Sequence, residues 1–128
     1  MTPPVWDNAI FEVSKSCGFD AAHNLADGLH DEGYGRLHGH SFRVEICVRG
    51  PARPPVGWVE DLGELEAALK TICQELDHSL LNTHPGLERP TLEALCAYFA
   101  ERLDGVFTGL ARIVVSRPTL GERCSYDL

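Results

Sequence analysis

His38-Gly39-His40-Ser41-Phe42-Arg43-Val44-Glu45-Ile46-Cys47-Val48-Arg49 is the stretch that decides the fold. Phe42, Val44, Ile46 and Val48 alternate with Arg43, Glu45 and Arg49, the pattern of a half-buried strand. Residues two apart on a strand share a face. His38 and His40 at its start can therefore converge on one metal ion. A third imidazole, His23, ends Phe19-Asp20-Ala21-Ala22-His23, just after another apolar run. Three neutral imidazoles leave an open fourth position on a tetrahedral zinc, which is the catalytic arrangement. The competing reading is a pair of exposed loop histidines.

Upstream, Ile10 to Phe19 reads as a strand with Phe11 and Val13 on one face. Asn24 to Leu37 is rich in Gly, Asp and His and reads as a long loop. Downstream, Gly50 to Gly57 is proline-rich and reads as a surface loop, and Trp58 and Val59 are expected in the core. Asp61 opens a helix as its N-cap, with Glu64 placed for a capping box. Leu62, Leu65, Leu69, Ile72 and Leu76 form its apolar stripe. Thr91 caps a second helix whose stripe is Leu92, Leu95, Phe99 and Leu103. Ile113 to Ser116 reads as a short buried strand and Cys124 to Tyr126 as a last one. The order β-β-α-α-β-β predicts an α+β domain over residues 1–128, an antiparallel sheet with two helices on one face.

Composition narrows the function classes. Eleven Lys and Arg against nineteen Asp and Glu give a net charge of −8. An acidic chain without a basic cluster argues against a nucleic-acid partner. No apolar run approaches a membrane span, and the first residues lack the basic and apolar regions of a signal peptide. Five scattered cysteines with no Cys-x-x-Cys suit a reducing cytoplasm and mostly buried thiols, Cys96 among them.

Further side chains could carry chemistry. Asp77-His78 follows the first helix. A histidine bonded to a carboxylate is held in one tautomer and can move a proton near neutral pH; the plainer reading is a helix-end pair favoured by the dipole. Asp31, Glu32 and Tyr34 precede His38 and could supply a proton donor near a metal, or form a solvated turn. Arg117, Glu122 and Arg123 could bind a polar substrate or serve as surface charge.

Taken in order, these pieces resemble the family of 6-pyruvoyl- and 6-carboxy-tetrahydropterin synthases. The resemblance runs from about Phe11 to Tyr126. It rests on Phe19-Asp20-Ala21-Ala22-His23, Leu37-His38-Gly39-His40-Ser41-Phe42, Gly57-Trp58-Val59-Glu60-Asp61-Leu62, Leu76-Asp77-His78-Ser79-Leu80-Leu81-Asn82 and Arg89-Pro90-Thr91-Leu92-Glu93. It implies the tunnelling fold: a four-stranded antiparallel sheet backed by two helices and closed into an oligomeric barrel. Family members are typically hexamers, dimers of trimers, with sites at subunit boundaries. It implies zinc on His23, His38 and His40, a catalytic Asp77–His78 pair, and Thr91 at the substrate.

Two departures stand out. The family's catalytic cysteine falls four residues before the His-Gly-His, and Tyr34 occupies that position. A phenol holds its proton to higher pH than a thiol and is a poorer base. The family's substrate-anchoring glutamate falls on Arg117, which has donors and no acceptor and suits a carboxylate or phosphate. Glu122 can replace that acceptor only if the chain folds back. The expectation is a cytoplasmic zinc-dependent lyase acting on a hydroxy/keto side chain, with a small-molecule, non-pterin substrate of specialised biosynthesis. The alternatives are a pterin synthase with a rearranged site and a non-catalytic zinc-binding homo-oligomer.

Overall fold

The computed structural model describes residue 6 and residues 8–25 and 32–128. Its element order is β1 (Phe11–His23), a short α1 (Glu32–Gly35), β2 (His38–Gly50), α2 (Leu62–Leu76), α3 (Leu92–Arg102), β3 (Leu110–Arg117) and β4 (Glu122–Asp127). The strands form one antiparallel sheet in the order β1-β2-β3-β4. Two hairpins thus lie side by side, with α2 and α3 inserted between them. Alternation decides which face the helices cover. Phe42, Val44, Ile46, Val48, Ile113 and Val115 are all buried against Leu65, Leu69 and Leu76 of α2 and Leu95 and Phe99 of α3. Burying each such side chain contributes about 1.5–3 kcal/mol.

Every strand runs further than its apolar residues suggest. The reading that ended β1 at Phe19 is too short: Ala21 and His23 continue the inward face to the last residue of the strand, where His23 pairs with His38. Small and polar residues hold strand geometry there because β2 supplies the hydrogen bonds. The 24–37 loop contains α1, and Asp31 lies outside the described residues. Trp58 is 48% exposed rather than in the core, whereas Val59 packs against it. Leu62 is also exposed, because the α2 stripe begins one turn later at Leu65. Asp61 caps α2 by accepting from Gly63 N, but Glu60 rather than Glu64 receives the Asp61 N–H, so there is no reciprocal capping box.

The end of α2 sets up the edge of the sheet. His78 N donates to Asp20 O at 2.7 Å, Ala22 N donates to Ser79 O at 2.9 Å, and Leu80 bridges to Ala22. These bonds satisfy part of β1's free edge and bring Asp77 and His78 to the same end of the sheet as the histidines.

Candidate metal centre and active site

His23, His38 and His40 occupy the helix-facing side of β1 and β2, one step beyond the apolar core. Phe19 and Phe42 stack at 5.1 Å, and the imidazoles of His23 and His40 meet the Phe42 ring edge-on. The triad thus has an aromatic floor. His23 Nδ1 lies 3.0 Å from Pro90 O and His38 Nδ1 lies 2.7 Å from Arg36 O. A carbonyl can only accept, so both rings carry their proton on Nδ1 and turn the Nε2 lone pair inward.

Those lone pairs face one another. His23 Nε2 and His38 Nε2 are 3.0 Å apart, and all three ligand nitrogens lie within 4.8 Å. His40 Nε2 is buried without a hydrogen-bond partner among the described residues. An unpartnered buried nitrogen and converging lone pairs are costly, and a cation among them removes that cost. Zinc with nitrogen at 2.0–2.1 Å in tetrahedral geometry separates its ligands by roughly 3.3 Å. The residues therefore fit the metal that the family resemblance implies. Backbone carbonyls behind metal-bound histidines also fix ring orientation. Burial, then the neighbouring His23, Arg117 and His38 charges, hold the His40 imidazolium pKa down to about 4, against a smaller opposing effect of Glu122. Burial likewise lowers that of His23. Both imidazoles are neutral at pH 7, the form that binds metal.

Beside the triad lies a cavity of about 360 Å3, bordered by Tyr34, Arg117 and Glu122. Tyr34 comes from α1, whose position is tied by Leu25 N donating to Tyr34 O. Arg117 is the last residue of β3 and shares the inward face of Ile113 and Val115. The Pro118–Leu120 turn reverses the chain, with Gly121 at φ 67°, a left-handed conformation that glycine adopts without strain. Arg117 consequently pairs in register with Glu122, at 3.3 Å between Nη2 and Oε2. Glu122 is thus returned to the triad's side. The alternating pattern cannot reveal this, because the reversal depends on a turn; Pro118 and Gly121 are the signal for it. Among the described residues, no cysteine borders this cavity.

Asp20 and Ser41 alternate with Ala21 and His40 and face the other side of the sheet. Ser41 Oγ donates to Asp20 Oδ1 at 2.6 Å, and Asp77 Oδ1 accepts from Asp20 N at 2.9 Å. His78 Nδ1 stands 4.0 Å from Asp77 Oδ2, too far for a hydrogen bond, with its side chain 82% exposed. Its φ of 56° is left-handed, a strained conformation for a residue with a Cβ. Asp20, Asp77 and His78 form a second cluster of potential ligand atoms. It borders an open groove of about 900 Å3 whose far wall includes His38 and His40. Thr91 does what its position predicts for a cap, accepting from Ala94 N with Oγ1. Sequence reasoning missed Asp20 and Ser41, since nothing in their spacing marks them.

The family model for 6-pyruvoyl tetrahydropterin synthase matches residues 12–128. A 6-carboxy-5,6,7,8-tetrahydropterin synthase of Synechocystis is 39% identical over 98 residues, 72% of this chain and 74% of the relative. A dihydroneopterin monophosphate aldolase of Pyrococcus furiosus is 34% identical over 85 residues, 66% of this chain and 68% of the relative. Among solved structures, the 6-pyruvoyl tetrahydropterin synthase of Caenorhabditis elegans superposes with a TM-score of 0.78 at 24% identity, covering 93% of this chain and 96% of that one.

Proposed function

The chain belongs to the 6-pyruvoyl tetrahydropterin synthase family, and we propose that it is a zinc-dependent lyase acting on the hydroxy/keto side chain of a small heterocyclic substrate. The observation that carries this is the triad: two imidazoles oriented by backbone carbonyls and a third with a buried, unpartnered Nε2. Zinc held there supplies Lewis acidity toward hydroxyl and carbonyl oxygens and so acidifies the adjacent C–H. The chain's own groups do the rest. His78, exposed and facing the groove, moves protons; Asp77 sets its surroundings while tethered to Asp20 N. Tyr34, on the cavity wall, serves as donor to a side-chain oxygen in place of the family's cysteine. Thr91 caps α3 and follows Pro90, whose carbonyl orients His23.

Arg117 and Glu122 govern the substrate. Arg117 in place of a glutamate favours a non-pterin substrate of specialised biosynthesis. Glu122, returned opposite it, favours a pterin-class substrate in a rearranged site. The second reading accords better with the geometry, since the hairpin supplies the acceptor, and with relatives named for pterin chemistry. The open 4.0 Å gap between Asp77 and His78 suits a site completed across a subunit boundary. The exposed β4 edge suits sheets joined between copies, so the working form is a homo-oligomer in the cytoplasm, a hexamer built as a dimer of trimers.

The test is turnover of dihydroneopterin triphosphate by zinc-loaded protein, beside Tyr34→Cys. Slow wild-type turnover that rises about tenfold or more in the variant supports the reading. Wild-type turnover equal to that of a family synthase contradicts the role of Tyr34, and no turnover by either favours the non-pterin substrate.

A further inference from the structure

We infer that Asp20 is a positioning residue for His78: its carboxylate is a second partner for the imidazole, so that the proton carrier works between two carboxylates rather than beside Asp77 alone. This rests on the reading of His78 as the group that moves protons. Asp20 reaches the corner through three separate groups. Its N–H donates to Asp77 Oδ1 at 2.9 Å, its carbonyl accepts from His78 N at 2.7 Å, and its Oδ1 accepts from Ser41 Oγ at 2.6 Å, across the β1–β2 pairing. The two main-chain bonds hold the corner in place, and any residue but proline supplies them. The side chain is not needed for that. It is exposed, adds nothing to the core, and is fixed by a short hydrogen bond that engages one oxygen and leaves the other with its lone pairs.

Charge gives this side chain its use. The carboxylates of Asp20 and Asp77 and the His78 imidazole lie within 4.8 Å of one another. Two carboxylates at that separation repel, and a cation between them relieves the repulsion. Arg43 borders the adjoining cavity beyond Ser41, whereas the imidazole is the group placed against both acids. Across the groove stand His38 and His40 of β2, and the turn before β4 adds only the neutral Thr119 and Leu120. At rest the imidazole stands 4.0 Å from Asp77 Oδ2, short of a hydrogen bond. A neutral imidazole has one N–H and the imidazolium has two. On taking a proton from the substrate the ring offers one N–H to each carboxylate, and on giving the proton back it releases one of them. Asp20 thus touches the carrier and not the substrate.

The test is the rate at which diethyl pyrocarbonate modifies His78 in the zinc-loaded oligomer, read by peptide mass spectrometry at pH 6 and pH 8. Only a neutral imidazole attacks this reagent, so slow modification at pH 6 reports the imidazolium. The proteins are wild type, Asp20→Asn and Asp77→Asn. Modification at pH 6 should be about threefold or more faster in each variant, with the three proteins alike at pH 8. A purely structural role alters access to the ring and moves both rates together. With dihydroneopterin triphosphate, kcat should fall about tenfold or more in Asp20→Asn while KM stays unchanged. Absence of turnover by every protein counts against the substrate reading alone, and the modification rates still decide the role of Asp20. Four results overturn that role: equal rates at pH 6 in wild type and Asp20→Asn, rates raised equally at both pH values, a wild-type kcat in Asp20→Asn, or a second zinc per chain that Asp20→Asn loses. The last makes the two carboxylates a metal site instead.

Discussion

The histidine triad and the Asp77–His78 corner meet at neighbouring residues of β1, yet they are built in opposite ways. His23 is fully buried, its ring pinned by a backbone carbonyl and floored by Phe42. His78 is 82% exposed on its side chain, makes no hydrogen bond to Asp77, and sits on a strained backbone. The first arrangement is complete within one chain. Two paired strands fix its geometry, and the fixed rings leave little entropy to lose on binding a metal. The second is held to β1 by His78 N donating to Asp20 O and by Asp77 Oδ1 accepting from Asp20 N, with the imidazole exposed to whatever enters the groove. A ligand set profits from rigidity, whereas a proton carrier must change partner during the reaction.

The comparison can be broken first at the corner. His78→Ala and Asp77→Ala are each expected to lower turnover by about 10²–10⁴-fold while zinc content and far-UV circular dichroism stay at wild-type values. Loss of zinc in either variant would tie the corner to the metal site and erase the distinction. A smaller effect sharpens it. His78→Gly removes the Cβ from a left-handed backbone, so thermal stability should rise, by up to about 1 kcal/mol, as activity disappears. A fall in melting temperature would mean that the imidazole is anchored after all.

The smallest effect concerns the triad without metal. Burial first, then the nearby positive charges, puts the His40 pKa at about 4 against an ordinary 6.5. Between those values the unfolded chain takes up a proton that the folded chain refuses, so stability falls as pH drops from about 6.5 to 4 and is flat with respect to this group above that window. Acid denaturation curves of metal-free wild type and His40→Gln check it. The variant should lose less across that interval, and identical curves would show that His40 is not held neutral.

Much of this was legible in the sequence, for physical reasons. Alternation from Phe42 to Val48 reports burial directly, so β2, its inward face and the placing of His38 and His40 on that face could be read. The helical stripes of α2 and α3 were legible for the same cause, apart from Leu62, which is exposed in the first turn of α2. The strand ends were not, because Asp20, Ala21 and Ala22 carry no strand preference of their own and take extended geometry from β2 and from the chain after α2. Trp58 misled because bulk and apolarity predict burial only where a surface exists to cover them. Arg117 could be aligned, but its partner could not: only the turn at Gly121 places Glu122 against it, and that altered the balance between substrate readings.

The most direct test of the central claim, a metal site complete within one chain and independent of the exposed corner, is zinc per chain after exhaustive dialysis. It compares wild type, His38→Ala and His78→Ala. The account predicts one zinc in wild type, one in His78→Ala and almost none in His38→Ala. Equal zinc in wild type and His38→Ala would contradict it.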